Sequence, residues 1–92
     1  MKTALYVAVY GQKTRTTQQS ADLQNFLGTA SDLVKSDPHA EQLNAGTFLL
    51  NLNDGIGTLA ALSFHASRYG VESRVLFFED APAWLPVFPV NA

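Results

Sequence analysis

The chain has 92 residues, of which 47% are hydrophobic and 15% are charged, and its net charge is −2 at pH 7. A chain of this length holds one hydrophobic core, so we expect a single domain over residues 1–92. The absence of cysteine excludes disulfides, thiolate metal sites and cysteine nucleophiles. Charged residues usually make up about a quarter of a soluble domain, so part of the apolar surface is expected to meet another protein chain.

The apolar runs are too interrupted to cross a membrane, which takes about 20 apolar residues in a helix. They are broken by Asn51, Asn53 and Asp54, or by Ser73 and Arg74. The first run, residues 4–10, lacks a small-residue cleavage site and is predicted to be a strand rather than a signal peptide. From these features we expect a cytoplasmic protein.

The first predicted element is a strand over residues 3–10, TALYVAVY, whose alternating side chains are apolar on both faces. Such a strand is typical of the centre of a sheet that is covered above and below. A polar loop, residues 11–15, follows it.

A helix is predicted next, because Thr16 and Gln19 form a capping-box pattern. Apolar residues then recur at helical spacing from Leu23 to Val34. Gly28 lies inside this helix, where it is expected to allow a close approach to the sheet. Pro38 ends the helix or starts one more short helical turn over residues 38–44.

Residues 47–80, TFLLNLNDGIGTLAALSFHASRYGVESRVLFFED, have the pattern of a parallel β-α-β unit. The two predicted strands, residues 47–52 and 71–78, are separated by a turn and by a helix over residues 59–69 with Thr58 as its cap. This helix is apolar on two sides, which indicates more burial than a surface helix has.

The last segment, residues 81–92, reads APAWLPVFPVNA, and its three prolines exclude a helix and disfavour a central strand. It is predicted to run extended, either filling a groove of its own domain or binding a partner chain. The elements together predict an α/β fold, namely a small three-layer domain with a three-stranded, mostly parallel sheet, two main helices and an extended apolar C-terminal tail. The competing topology is an α+β domain in which one strand runs antiparallel.

Parallel strands would bring their outgoing loops to one edge of the sheet, where α/β proteins bind ligands. Two helix N-termini at that edge would favour an anion, and glycines would let backbone amides approach it. The alternative is that these loops are ordinary turns with solvated charges, because neither glycine pattern completes a phosphate-binding motif. The candidate ligand-binding residues are Lys13, Arg15, Asn53, Asp54, Gly55, Gly57 and Thr58.

Other chemistries have less support in the sequence. Asp54, Glu79 and Asp80 would bind a divalent cation only if they met in space, and loop carboxylates are more often solvated. His65 has no visible acid–base partner, and no serine lies in a nucleophile-elbow motif. We therefore predict no catalytic residue, no metal and no cofactor, and the basic residues are too few to indicate nucleic-acid binding.

Two functional hypotheses follow. The first is a non-catalytic protein–protein interaction or self-associating accessory domain, either a homodimer or bound to a protein partner. The second is a small domain that binds an anionic ligand, phosphate or nucleotide-like, at the carboxyl ends of the strands. Aromatic side chains often anchor interfaces, so the candidate interface residues are Phe64, His65, Trp84, Leu85 and Phe88.

Overall fold

A computed structural model of the chain describes residues 2–9, 16–53 and 56–80. The elements in this part of the chain are β1 (Thr3–Ala8), α1 (Thr17–Lys35), β2 (Glu41–Asn44), β3 (Thr47–Asn51), α2 (Gly57–Arg68) and β4 (Ser73–Phe78). The strands form one four-stranded sheet in the order β2-β3-β1-β4. Every neighbouring pair of strands is antiparallel.

The prediction of a three-stranded, mostly parallel sheet is therefore wrong, although the fold is a small one of helices packed on a sheet. β3 and β4 do run in the same direction, because each is antiparallel to β1. They are not neighbours, however, since β1 lies between them. A β-α-β sequence pattern indicates that two strands share a direction, but it does not reveal whether a third strand separates them.

The additional strand, β2, lies where the sequence predicts a helical turn after Pro38. Its residues, EQLN, lack the alternation of a half-buried strand, and three of the four are exposed. β2 is a strand because it pairs with β3, where Glu41 lies opposite Leu49. The hairpin between them is stabilised by Asn44, whose Oδ1 accepts a 3.0 Å hydrogen bond from the Gly46 N–H.

The predicted start of α1 is confirmed. Thr16 Oγ1 accepts a hydrogen bond from the Gln19 N–H at 3.0 Å, and Gln19 Oε1 accepts one from the Thr16 N–H at 2.9 Å. Gly28 is exposed, and a Cβ added there would meet nothing within 4 Å, so this glycine does not bring the helix closer to the sheet. The apolar stripe of the helix is buried as predicted, at Leu23, Phe26, Ala30 and Val34.

The prediction for α2 is only partly correct. The residue that caps it is Ile56, without a side-chain hydrogen bond, so the prediction of Thr58 as the cap is wrong. Leu62 and Ala66 are buried in the core, whereas Phe64 is 62% exposed. The helix therefore buries one side and not the two that its composition indicates.

The end of α2 has the two backbone hydrogen bonds of a Schellman motif. The Val71 N–H donates to the Ala66 carbonyl at 2.8 Å, and the Gly70 N–H donates to the Ser67 carbonyl at 3.2 Å. Gly70 has a φ of +67°, the left-handed conformation that glycine adopts without a steric penalty.

Both helices pack on the same face of the sheet, so the described part of the molecule has two layers instead of the predicted three. At the centre of the core Tyr6 is fully buried, and its hydroxyl donates a 3.4 Å hydrogen bond to the Leu62 carbonyl. Burial raises the pKa of the Tyr6 hydroxyl above its ordinary value. The core consists of Ala4, Tyr6, Ala8, Phe26, Ala30, Val34, Phe48, Leu50, Leu62 and Ala66.

The connectivity β-α-β-β-α-β, with β1 placed between the two strands of the second unit, is the split β-α-β or ferredoxin-like arrangement. This architecture supports many unrelated functions and by itself indicates none. Among the described residues, no helix combines the length and the apolar character needed to span a membrane. The predicted tail, residues 81–92, lies outside the described residues.

Candidate functional site

The strands do not bring the predicted ligand-binding loops to one edge of the sheet. The end of β1 lies beside the start of β3, where Val7 is opposite Thr47, and the end of β3 lies beside the start of β1, where Asn51 is opposite Thr3. The chain therefore leaves β1 and β3 at opposite ends of the sheet. The parallel arrangement on which the predicted crevice depends is wrong.

The predicted ligand-binding residues are only partly covered by the structure. Asn53 follows β3, and its backbone N–H donates a 2.8 Å hydrogen bond to Asn51 Oδ1. Gly57 and Thr58 form the first turn of α2. Their role in anion binding stays a prediction. The other four lie outside the described residues, namely Lys13, Arg15, Asp54 and Gly55.

A carboxylate already lies at the first turn of α2. Thr58 Oγ1 donates a 2.7 Å hydrogen bond to Asp37 Oδ2, and the His39 N–H donates one of 2.9 Å to Asp37 Oδ1. The Thr58 bond first, and the His39 bond second, hold the pKa of the Asp37 carboxyl below its ordinary value. A negative charge at this helix start repels a second anion, so the contact disfavours anion binding there.

The structure gives no support to a cation site among the described carboxylates. Asp80 lies 3.9 Å from Lys2 Nζ, and both side chains are well exposed. Within residues 2–9, 16–53 and 56–80, no group of three or more His, Cys, Asp or Glu side chains could hold a metal ion.

The described helices leave one face of the sheet uncovered, and we refer to it as the open face. Its side chains alternate along the strands with those of the core, so they point away from both helices. Three rows of residues cross it. The first two span all four strands and are Glu41, Leu49, Leu5 and Leu76, then Asn44, Thr47, Val7 and Arg74. The third spans β3, β1 and β4 and is Asn51, Thr3 and Phe78, of which Thr3 is buried.

The centre of the open face is apolar. Leu5, Val7 and Leu49 are partly buried, and Leu76 on the edge strand β4 is 60% exposed. A groove of about 610 Å³ runs along β1 and β4. Contiguous exposed apolar surface is typical of contact sites. The groove is lined by Leu5, Val7, Arg74, Val75 and Leu76.

The two edges of the open face carry opposite charges. Glu41 lies on β2 at one edge, and Arg74 lies on β4 at the other. Both side chains are exposed, and neither forms an ion pair with any residue in the part of the chain that the structure describes. An apolar centre with a charged rim is the general anatomy of a protein–protein interface.

None of the predicted interface residues is placed on the open face: two lie on α2, and the other three fall outside the described residues. Phe64 and His65 are on α2, on the opposite side of the sheet, and their rings meet edge to face with centroids 5.2 Å apart. His65 Nδ1 is buried and has no hydrogen-bond partner among the described residues. Trp84, Leu85 and Phe88 lie outside the described residues. Their role in an interface stays a prediction.

Sequence reasoning missed the open face because strands that are apolar on both faces are usually covered on both. The low fraction of charged residues, 15%, predicts exposed apolar surface but does not show where it lies. The described part of the chain has two helices and four strands, and because both helices pack on one face, neither helix covers Leu5, Val7 and Leu49.

Comparison with protein-family models, with curated proteins and with solved structures finds no significant match for this chain. The fold and the open face together define a small two-layer domain with one apolar sheet face that no described element covers.

Proposed function

We propose that this protein is a self-associating interaction domain, and that it binds a second copy of itself through the open face. The apolar centre of that face, between Glu41 at one edge and Arg74 at the other, carries the proposal. A face with opposite charges at its two edges is complementary to itself, because a turned copy brings unlike charges together. The net charge of −2 offers little long-range repulsion between copies.

The size of the open face indicates weak association. Its four strands, spaced about 4.8 Å apart and roughly 20 Å long, give a projected area of roughly 400 Å² per copy. A standard stable interface buries about 800 Å² per partner. The complex is therefore expected to form only at high protein concentration.

Two matched variants test the proposal. Leu76 and Phe64 are 60% and 62% exposed, on the open face and on α2 respectively, so a charge at either position leaves the core intact. Sedimentation velocity on the whole chain should show wild type passing from monomer to dimer as concentration rises. Phe64→Glu should follow wild type, and Leu76→Glu should stay monomeric.

Three results would contradict this. One is a wild-type chain that stays monomeric throughout. Another is a Leu76→Glu variant that dimerises as wild type does. The third is dimerisation that Phe64→Glu abolishes and Leu76→Glu leaves intact, which would place the contact on α2 and not on the open face.

A further inference from the structure

We infer that two copies pair face to face around a twofold axis parallel to the strands, so that Arg74 of each copy lies beside the partner's Glu41. The inference rests on the proposed self-association and goes beyond it by specifying which strands and which charges meet.

Two aligned arrangements are available to a twofold pair of sheets. Stacked sheets keep their strand directions within about 30° of each other, and a twofold pair uses the same surface on both copies. An axis parallel to the strands exchanges the two edges, so that β4 lies over β2 of the other copy and β1 lies over β3. An axis across the strands places every strand over its own equivalent.

The charges favour the axis parallel to the strands. β4 carries Arg74 and β2 carries Glu41 on the open face, so exchange of the edges brings unlike charges together twice in each pair. The other axis places β4 over β4 and β2 over β2, so Arg74 and Glu41 each lie over the strand that carries the partner's residue of the same charge. Facing like charges oppose an association, whereas facing unlike charges fix its orientation.

The register of the strands permits the contact. Arg74 is opposite Val7, whereas Glu41 is level with Leu5 through their shared neighbour Leu49. The two charged residues are thus offset by two positions, or about 7 Å, along the strands, and the sheets lie about 10 Å apart. Extended arginine and glutamate side chains span that separation. The same rotation places the partner's Leu49 over Leu5, beside the groove of β1 and β4.

Charge reversal in the whole chain tests this arrangement. Arg74→Glu or Glu41→Arg alone turns two attractions into two repulsions, so each should weaken the dimer about tenfold. The double variant Arg74→Glu/Glu41→Arg should return the dimer to within about threefold of wild type. Arg68→Glu, an equal change of charge at an exposed position on α2, is the control and should behave as wild type. Circular dichroism checks that each variant is folded.

The outcomes distinguish a failure of this arrangement from a failure of the proposed self-association. A wild-type dimer that none of the reversals weakens would overturn the arrangement alone, because the axis across the strands and edge-to-edge pairing do not bring these two charges together. A wild-type monomer would overturn the self-association as well. The fluorescence of the single tryptophan, Trp84, tests the competing possibility that residues 81–92 occupy the open face instead of a second copy. Blue-shifted emission at every concentration, in a chain that stays monomeric, would indicate that residues 81–92 pack on their own domain, and a red shift on Leu76→Glu would place that contact on the open face.

Discussion

At the scale of single residues, Asp37 connects the segment between α1 and β2 to the start of α2. Its carboxylate accepts hydrogen bonds from Thr58 Oγ1 and from the His39 N–H. Because these bonds favour the charged form, the pKa of Asp37 is lower in the folded chain than the ordinary 3.8. The carboxylate therefore contributes stability that is present above the unfolded-state pKa and is lost as pH falls through the folded-state pKa.

Removal of this contact should have a small, pH-dependent cost. Asp37→Asn and Thr58→Val should each lower the free energy of unfolding by about 0.5–1 kcal/mol at neutral pH, since the bond is partly exposed to solvent. The double variant should lose less than the sum of the two losses, because both changes remove one bond. Urea unfolding measures all three differences.

The pH series supplies the check on the cause. As pH falls through the lowered pKa of Asp37, the wild-type carboxylate becomes protonated, so the difference between wild type and Asp37→Asn should shrink. A difference that is the same at neutral and acidic pH would show that the charge of Asp37 has no part in the stability.

Residue-scale prediction from the sequence succeeds where the partners are close in the chain. Thr16 and Gln19 are three positions apart, and their reciprocal hydrogen bonds form as the pattern predicts. Thr58 resembles a helix cap in the same way, but its hydroxyl bonds to Asp37, 21 positions away. A local pattern does not reveal a competing partner that only the fold brings into reach.

At the scale of secondary-structure elements, two glycines of α1 and α2 should respond to the same substitution with opposite signs. Gly28 lies inside α1 with open space around it, so Gly28→Ala should raise the free energy of unfolding by about 0.5–1 kcal/mol. Gly70 ends α2 at a φ of +67°, so Gly70→Ala should lower it by about 1 kcal/mol. Urea unfolding measures both changes, and each variant serves as the control for the other. If both substitutions changed the free energy of unfolding in the same direction, the assigned conformations of the two glycines would be contradicted.

The sequence places three of the strands correctly and misses the fourth. The predicted strands over residues 3–10, 47–52 and 71–78 contain β1, β3 and β4, because short apolar runs of this kind are typical of strands. β2 carries no such mark, since its contacts come from β3 and from α1, where Ser31 Oγ donates a 3.0 Å hydrogen bond to Gln42 Oε1. Strand order is equally hidden, because it depends on which strand each helical crossover passes: the α1 crossover passes β3, and the α2 crossover passes β1.

At the scale of the whole molecule, the open face shows how far composition predicts a surface. The scarcity of charge predicts exposed apolar surface, and Leu76 and Phe64 are indeed more than half exposed. The position of the candidate site does not follow from composition. It depends on both helices packing on one side of the sheet. Connections of the same lengths could also place α1 on one side and α2 on the other.

Self-association through the open face should also make the stability of the whole molecule depend on its concentration. A partner that binds only the folded chain stabilises it in proportion to the logarithm of its concentration above Kd, by about 2.7 kcal/mol at a hundredfold excess. For a domain of this size about 1 kcal/mol raises the Tm by roughly 4–8 °C. Wild type should therefore gain several degrees in scanning calorimetry as its concentration rises through Kd, while Leu76→Glu should keep one Tm. An equal rise in both proteins would mean that the stabilising contact lies off the open face, and a constant wild-type Tm up to the solubility limit would mean that the folded chain does not bind itself.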